Sequence, residues 1–212
     1  MKIFRHIYTE RASGAEWSVV QAATLLTDAK KRECSTLIIY SALELRMAIE
    51  QLLFSIIVMA GDLDSDTFTE CRRKDGLFRV LERVSPKYSM MCRFCRVMAS
   101  FYPEVPEIAE WDVRSLKRFY TQLSDLCHSQ LLIEGMHEAP QKWDSKVSLL
   151  EKGYDFLSSG MTKNTAVLKF DEASPSVVAL WDEYEKGKIT IDDVRERFAL
   201  VKPVLDQQRI HK

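Results

Sequence analysis

A polar stripe of residues suited to proton transfer and phosphate binding runs along one predicted helix, in the segment RSLKRFYTQLSDLCHSQ. Because each residue advances roughly 100° around a helix axis, five of its side chains fall within an arc of roughly 80°. They are Arg114, Arg118, Thr121, Asp125 and His128. The opposite side of the projected helix is largely apolar, so we expect the histidine to face away from the core.

The spacing within this stripe suggests acid–base chemistry on a phosphodiester. Asp125 lies three residues before His128, a separation that brings two helical side chains together. A neighbouring carboxylate fixes the tautomer of an imidazole and favours its protonated form, and Arg118 would supply a guanidinium for the phosphate. The candidate catalytic residues are therefore His128, Arg118 and Asp125, with no metal and no cofactor. A solvated helix face with incidental ion pairs is the alternative interpretation.

The same segment resembles a helix of the HEPN superfamily. RFYTQLSDLCHSQ is similar to the aromatic-x-x-Leu-Ser-x-x-x-His segment near the end of HEPN-like bundles, and YSALELRMAIEQLLF is similar to their central helix. The resemblance extends over roughly residues 15 to 135. It implies a helical bundle that dimerises. It also implies RNA binding, scaffolding or metal-independent RNA cleavage in toxin–antitoxin and phage-defence systems.

Of the catalytic residues of that superfamily, only His128 has a direct counterpart in this chain. The superfamily uses an Arg-x4–6-His motif, whereas nine residues separate Arg118 from His128. Arg118 is therefore a loose substitute for the arginine of the motif.

The predicted central helix carries ionisable side chains in an otherwise apolar sequence. Arg46 and Glu50 are four residues apart and can form an ion pair. Glu44 has no partner nearby in the sequence, and a buried carboxylate requires a cation or hydrogen-bond donors. We therefore expect Glu44 to be mostly buried beside a basic side chain from another helix, such as Arg114 or Arg118.

Two cysteines in the segment CRFC raise the question of a zinc site. Cys92 and Cys95 would need Cys127 and His128 as further ligands, but those adjacent residues point roughly 100° apart on a helix. Zinc sites usually contain two clear pairs of ligands. The cysteines are therefore predicted to be small buried hydrophobic residues.

A basic cluster precedes that segment. It is interleaved with Glu70, Asp75 and Glu82, which favours a solvated helix face over a phosphate site. The cluster comprises Arg72, Arg73, Lys74, Arg79 and Arg83.

The elements that must position these residues are predicted to be helices. Apolar residues recur at helical spacing along most of the 212-residue chain, which contains only 7 glycines and 6 prolines. Hydrophobic residues make up 46% and charged residues 29% of the chain, a composition typical of a globular protein. The expected fold class is all-α, a HEPN-like helical bundle, and Pro86 is predicted to begin one of its helices.

The character of the sequence changes near residue 160. We place the helical bundle in residues 1–160 and assign residues 161–212 to a linker and a C-terminal helical hairpin. A short strand is predicted only near residues 164–171. Both hairpin helices begin with typical N-cap and first-turn residues, namely Ser174 with Pro175 and Thr190 with Asp193. The hairpin carries many apolar residues, so it is predicted to pack on the bundle or on a partner.

Bulk properties restrict the class of protein. The net charge of −1 demands no nucleic-acid partner, although a local basic face is compatible with one. The apolar segment around residues 36–60 contains Glu44, Arg46 and Glu50, so a buried helix is expected and not a membrane span. The start of the chain lacks the apolar core of an export signal, and its cysteines are too sparse for a disulfide scaffold, so a cytoplasmic location is expected.

Two functions are compatible with these observations. The first is binding or metal-independent cleavage of RNA, in phage-defence or toxin–antitoxin biology, by a homo-oligomeric protein. The second is a non-catalytic helical module that binds another protein. The surroundings of His128 distinguish an enzyme from a binding module, since a basic cleft or a dimer groove favours the enzyme and open solvent beside acidic residues favours the binding module.

Overall fold

Eight α-helices account for most of the residues that the computed structural model describes, namely 14–61, 64–73, 76–105, 108–129, 140–163 and 173–210. In chain order the helices are α1 (Ala15–Arg32), α2 (Ser35–Ala60), α3 (Ser65–Cys71), α4 (Gly76–Ala99), α5 (Val113–Ser129), α6 (Pro140–Met161), α7 (Pro175–Glu185) and α8 (Ile191–Ile210). No strand occurs among the described residues, and the all-α prediction is confirmed. The strand predicted near residues 164–171 falls outside the described residues.

The helices belong to two compact units, each built from two separate stretches of chain. The first unit comprises Met1–Ser55 and Asp112–Thr162, and the second comprises Ile56–Trp111 and Lys163–Lys212. The predicted boundary near residue 160 lies beside the junction at Thr162. The range 1–160 that was predicted as one bundle is nevertheless divided, because residues 56–111 group with the C-terminal helices.

The first unit contains α1, the greater part of α2, α5 and α6. Helix α6 packs on both α1 and α5. Gly153 of α6 lies beside side chains of α2 and α5, since a Cβ atom there would be at ordinary van der Waals distance, 3.4 Å from Leu45 Cδ1 and 3.8 Å from Phe119 Cδ1. The core of this unit consists of fully buried side chains from all four helices, including Ala29, Leu45, Leu116, Leu123, Leu150 and Leu157.

Helix α2 is the apolar segment whose sequence could be mistaken for a membrane span. It buries aliphatic side chains along its whole length, from Ile38 to Ala60, as predicted for a central helix. Across the described part of the chain, no helix combines the length and apolar character needed to cross a membrane.

Aromatic contacts between α4 and the C-terminal helices hold the second unit together. The ring of Phe94 on α4 lies 5.4 Å from that of Trp181 and 6.0 Å from that of Tyr184, both on α7. The ring of Phe198 on α8 lies 5.2 Å from that of Phe101, which follows α4. The prediction that the C-terminal hairpin packs its apolar side chains is confirmed.

Both hairpin helices begin at the predicted residues. The Ser174 hydroxyl accepts a hydrogen bond from the Val177 N–H at 3.4 Å, and Pro175 is the first residue of α7. Before α8, the Asp193 carboxylate accepts from the Thr190 N–H at 2.7 Å, and the Asp193 N–H donates to the Thr190 hydroxyl at 3.2 Å. This reciprocal arrangement is a capping box, which satisfies N–H groups that the helix leaves without partners.

The prediction that Pro86 begins a helix is wrong, because α4 continues through it from Gly76 to Ala99. A proline inside a helix removes one backbone hydrogen bond. Pro86 is exposed, whereas Leu81 before it and Tyr88 after it are buried in the same unit. Packing of the apolar face on both sides of the proline therefore outweighs the missing hydrogen bond.

Candidate functional site

The predicted polar stripe lies on α5 and faces solvent. Its five side chains, hereafter the α5 stripe, are all exposed: Arg114, Arg118, Thr121, Asp125 and His128. The opposite side of the helix is buried, through Leu116, Phe119, Leu123 and Leu126. The amphipathic character predicted for α5, with His128 outside the core, is confirmed.

Helix α5 begins at Val113, and the side chain of the preceding residue, Asp112, caps its first turn. The carboxylate accepts hydrogen bonds from the backbone N–H groups of Arg114 at 3.0 Å and Ser115 at 3.2 Å, and from the Ser115 hydroxyl at 2.7 Å. The hydrogen bonds from Ser115 lower the pKa of Asp112, and the positive charge of Arg118 contributes to the same effect. The cap therefore fixes the start of α5, and its hydrogen bonds favour the ionised form of Asp112.

Replacing Asp112 with alanine is expected to destabilise the protein by about 1 kcal/mol, the usual cost of removing an N-cap side chain. Asp112→Asn is the matched control, because asparagine retains a capping oxygen without the charge. Because folding lowers the pKa of Asp112, its negative charge stabilises the folded protein. This stabilisation is complete above the ordinary pKa of 3.8 and is lost as the pH falls through the folded-state pKa. In urea unfolding, the difference between wild type and Asp112→Asn should therefore vanish at acidic pH. A difference that does not change with pH would contradict this account.

The three candidate catalytic residues share one face of α5 without contacting one another. Among the described residues, no hydrogen bond or ion pair joins Asp125 to His128, and both are exposed. The Arg118 guanidinium lies 5.3 Å from the centroid of the Phe119 ring. The ten residues from Arg118 to His128 correspond to a helix rise of about 15 Å. The α5 stripe thus presents these groups in a row and does not gather them around one reacting atom.

A polar cluster joins α2 to the half-buried side of α5. Arg46 Nη2 donates to Glu50 Oε1 at 3.0 Å, which confirms the predicted ion pair, and also donates to the Tyr120 hydroxyl at 3.2 Å. That hydroxyl in turn donates to Glu50 Oε1 at 2.9 Å, and the Arg46 guanidinium lies 5.2 Å from the centroid of the Tyr120 ring. We call Arg46, Glu50 and Tyr120 the α2–α5 cluster.

Burial and charge together set the protonation states in the α2–α5 cluster. Burial lowers the pKa of Arg46, but its interactions with Tyr120 and Glu50 outweigh that effect and raise the pKa overall. Burial raises the pKa of Tyr120, the interactions with Arg46 lower it, and the interactions with Glu50 raise it. The guanidinium therefore stays charged and the phenol stays protonated, which fits a structural link between two helices better than proton transfer. Tyr120 was not singled out from the sequence, although a tyrosine at the edge of an apolar face usually needs a polar partner.

Glu44 does not have the surroundings predicted for it. It is half-buried and forms no ion pair with a described residue, whereas a mostly buried side chain beside a base was expected. The expected partners Arg114 and Arg118 are exposed on the α5 stripe. The neighbouring α2–α5 cluster makes the polar contact between these two helices instead.

The cysteines of the CRFC segment are buried in the second unit, as predicted. Burial raises the pKa of the Cys92 thiol to about 11, although a hydrogen bond with Tyr88 opposes the shift. A thiol with so high a pKa stays protonated near neutral pH, whereas metal binding and nucleophilic attack require the thiolate. In the described ranges no group of His, Cys, Asp and Glu residues is arranged to hold a metal ion.

Two arginines of the basic cluster near α3 form ion pairs with one acidic neighbour. The Glu70 carboxylate forms ion pairs with Arg79 at 3.6 Å and with Arg83 at 3.2 Å. Arg72 and Arg73 are exposed, and Lys74 falls outside the described residues. This arrangement agrees with the predicted solvated helix face.

A cavity of about 650 Å³ adjoins this cluster within the second unit. Its wall alternates carboxylates, hydroxyls and guanidinium groups, so it lacks the uniform charge that would select an anion or a cation. The lining residues are Gly61, Asp64, Asp66, Thr67, Thr69, Glu70, Arg73, Arg83 and Val84.

Comparison with known proteins finds no protein-family model, no curated protein and no solved structure that matches this chain.

Proposed function

We propose that this chain is a HEPN-like RNA-binding protein of a phage-defence or toxin–antitoxin system, and that the α5 stripe is its RNA-binding surface. The observation that carries the proposal is that all five polar side chains of the stripe face solvent, with Arg114 and Arg118 in its first half. The resemblance of the α2 and α5 segments to HEPN helices supplies the biological setting.

The dimensions of the α5 stripe suit a nucleic-acid strand. From Arg114 to His128 the helix rises about 21 Å, which is long enough to follow several phosphates of an extended strand. Arginine binds phosphate oxygens through two parallel N–H groups. The Thr121 hydroxyl already donates to the Lys117 carbonyl oxygen at 3.1 Å, so the donors that the stripe offers to phosphate are the two arginines and His128. Because the whole chain has a net charge of −1, attraction for RNA depends on this local row of donors.

Cleavage of the bound RNA requires a more exact arrangement of side chains than binding does. A general base and the group that stabilises the developing charge must reach the same phosphate within hydrogen-bond distance. The rise of about 15 Å between Arg118 and His128 prevents one α5 helix from meeting that demand. Cleavage by this pair of residues would require Arg118 from a second chain, whereas RNA binding requires only one chain.

Binding of a labelled single-stranded RNA, followed by fluorescence anisotropy at several salt concentrations, tests the proposal. Arg114→Ala/Arg118→Ala is expected to weaken binding. It should also reduce the slope of log K against log salt by about 1.4, because each single-strand phosphate contact contributes about 0.7. Gln122→Ala, an exposed change on the same helix, is the control and should bind like wild type. If the double variant binds RNA as tightly as wild type, the α5 stripe is not the RNA-binding surface. If wild type binds no RNA, the proposed function is wrong.

The variant His128→Ala tests cleavage separately. RNA incubated with the full chain in the presence of a chelator should remain intact, since the described residues do not assemble a complete site. Product that forms with wild type and disappears in His128→Ala, at unchanged thermal stability, would instead show that His128 is catalytic. That result would also mean that a second chain completes the site.

A second function, binding of another protein, is favoured by two further observations. His128 faces open solvent beside Asp125, the surroundings expected of a binding module. Helices α1 and α2 expose large apolar side chains, which protein-binding surfaces commonly do. A protein-binding module of this kind would tolerate Arg114→Ala/Arg118→Ala and would lose its partner when the apolar side chains are replaced.

A further inference from the structure

Three large hydrophobic side chains form an exposed stripe along α2, which we call the α2 stripe. They are Tyr40, Leu43 and Met47, with exposed fractions of 52%, 39% and 37%. Separations of three and four residues place them on one face of the helix, over a rise of about 10 Å. The opposite face of α2 is fully buried, through residues such as Leu45 and Ile49. The described residues therefore leave the α2 stripe open to another molecule.

One carboxylate borders the α2 stripe. Glu44 lies four residues after Tyr40 and three before Met47, so its side chain stands beside both. It is half-buried and forms no ion pair with a described residue, whereas the nearest other charged residue of α2, Arg46, is paired with Glu50. A molecule that covers the stripe would remove water from Glu44. A carboxylate that loses water requires a cation or hydrogen-bond donors.

The spacing of the α2 stripe favours a helix as its occupant. The backbone N–H and C=O groups of α2 bond within the helix, so an extended peptide finds no edge to pair with. Apolar side chains at positions i, i+3 and i+7 match the a and d positions of a coiled-coil seam. Glu44 follows Leu43 directly and takes the e position, where interhelical ion pairs set the choice of partner. A complementary helix carries apolar residues at the same spacing and a lysine or arginine that faces Glu44.

A second copy of α2 does not provide this cation. The α2 stripe is centred between Leu43 and Glu44, so an antiparallel pairing about a two-fold axis there would bring the two Glu44 carboxylates together. Like charges in contact oppose association. A parallel pairing would place Glu44 opposite Ile39 of the other copy, which carries no charge. The complementary helix therefore belongs to a different protein.

We propose that the α2 stripe binds an amphipathic helix of another protein, and that a lysine or arginine of that helix pairs with Glu44. The inference rests on the second of the two functions above, protein binding, and gives it a surface and a partner of defined chemistry. It does not depend on RNA binding, because no residue of the α5 stripe takes part.

Two synthetic helical peptides probe the α2 stripe. Each is about two heptads long, with leucines at its a and d positions and side-chain bridges that hold the helix. One peptide carries lysine at its e and g positions, and the other carries glutamate there. When each is titrated with the full chain and followed by fluorescence anisotropy, the lysine peptide should bind more tightly by about fivefold or more, the upper range for one partly exposed ion pair.

Substitutions in the full chain separate the apolar contacts from the ion pair. Leu43→Arg should weaken binding of the lysine peptide more than about tenfold, because it places a charge inside the apolar seam. Glu44→Lys should reverse the preference, so that the glutamate peptide binds more tightly. Leu200→Arg is the control for an added arginine, since Leu200 is 78% exposed on α8 of the second unit, and it should bind both peptides like wild type. Circular dichroism verifies that each variant is folded.

The outcomes distinguish this proposal from its alternatives. Equal binding of the two peptides that Leu43→Arg abolishes would overturn the cationic partner, although protein binding itself would stand. Wild type that binds neither peptide, or binding that survives Leu43→Arg, would overturn the α2 stripe as a docking surface. A wild-type dimer in sedimentation equilibrium that Leu43→Arg dissociates would overturn the proposal as well, since a second copy would then cover the stripe. Peptide binding that Arg114→Ala/Arg118→Ala leaves unchanged would support a surface separate from the RNA-binding one.

Discussion

Phe198→Ala is expected to destabilise the second unit by about 3–5 kcal/mol, the usual cost of removing a buried aromatic side chain. Phe198 is only 1% exposed, and its ring lies 5.2 Å from that of Phe101 and 6.4 Å from that of Tyr102. Alanine would leave a cavity where α8 packs against the end of α4. Because whole domains are stable by only about 5–15 kcal/mol, this one change should shift the urea midpoint of the second unit strongly.

Leu200→Ala is the matched control for this prediction. Leu200 lies two residues further along α8 and is 78% exposed, so its removal should change the free energy of unfolding by less than about 0.5 kcal/mol. Equal effects of the two substitutions in urea unfolding, followed by tryptophan fluorescence, would show that α8 does not pack as described.

Deletion of residues 171–212 is expected to make the remaining chain aggregate. The deletion removes α7 and α8, whose buried side chains include Val177, Leu180, Trp181, Val194 and Phe198. Each large apolar side chain contributes roughly 1.5–3 kcal/mol when fully buried. The partners left on α4, above all Phe94, would then face water as an apolar patch.

Solubility and light scattering after expression measure this effect. Co-expression of residues 171–212 as a separate chain should restore a soluble complex, because the contacts of α7 and α8 with α4 do not depend on chain continuity. A truncated chain that is soluble and as stable as the full chain would show that the hairpin contributes nothing to the fold.

Local features of this protein were predictable from the sequence because they depend on residues close together in the chain. Helical spacing predicted the all-α class and the two faces of α5, and the pairs Ser174 with Pro175 and Thr190 with Asp193 marked the starts of α7 and α8. The separation of four residues also predicted the ion pair between Arg46 and Glu50. In each case a turn or two of helix contains all the atoms involved.

Features that join distant parts of the chain were decided by tertiary packing. Residues 56–111 group with the C-terminal helices, and α4 continues through Pro86 because apolar residues on both sides of it share one core. Tyr120, 70 residues from Glu50 in the sequence, completes the α2–α5 cluster, while Glu44 on the same helix forms no ion pair with a described residue. The exposure of large apolar side chains on α1 and α2, such as Trp17 and Tyr40, likewise depends on which sides of these helices the other helices cover. Periodicity identifies an apolar face, but only the three-dimensional arrangement determines whether another helix of the same chain lies against it.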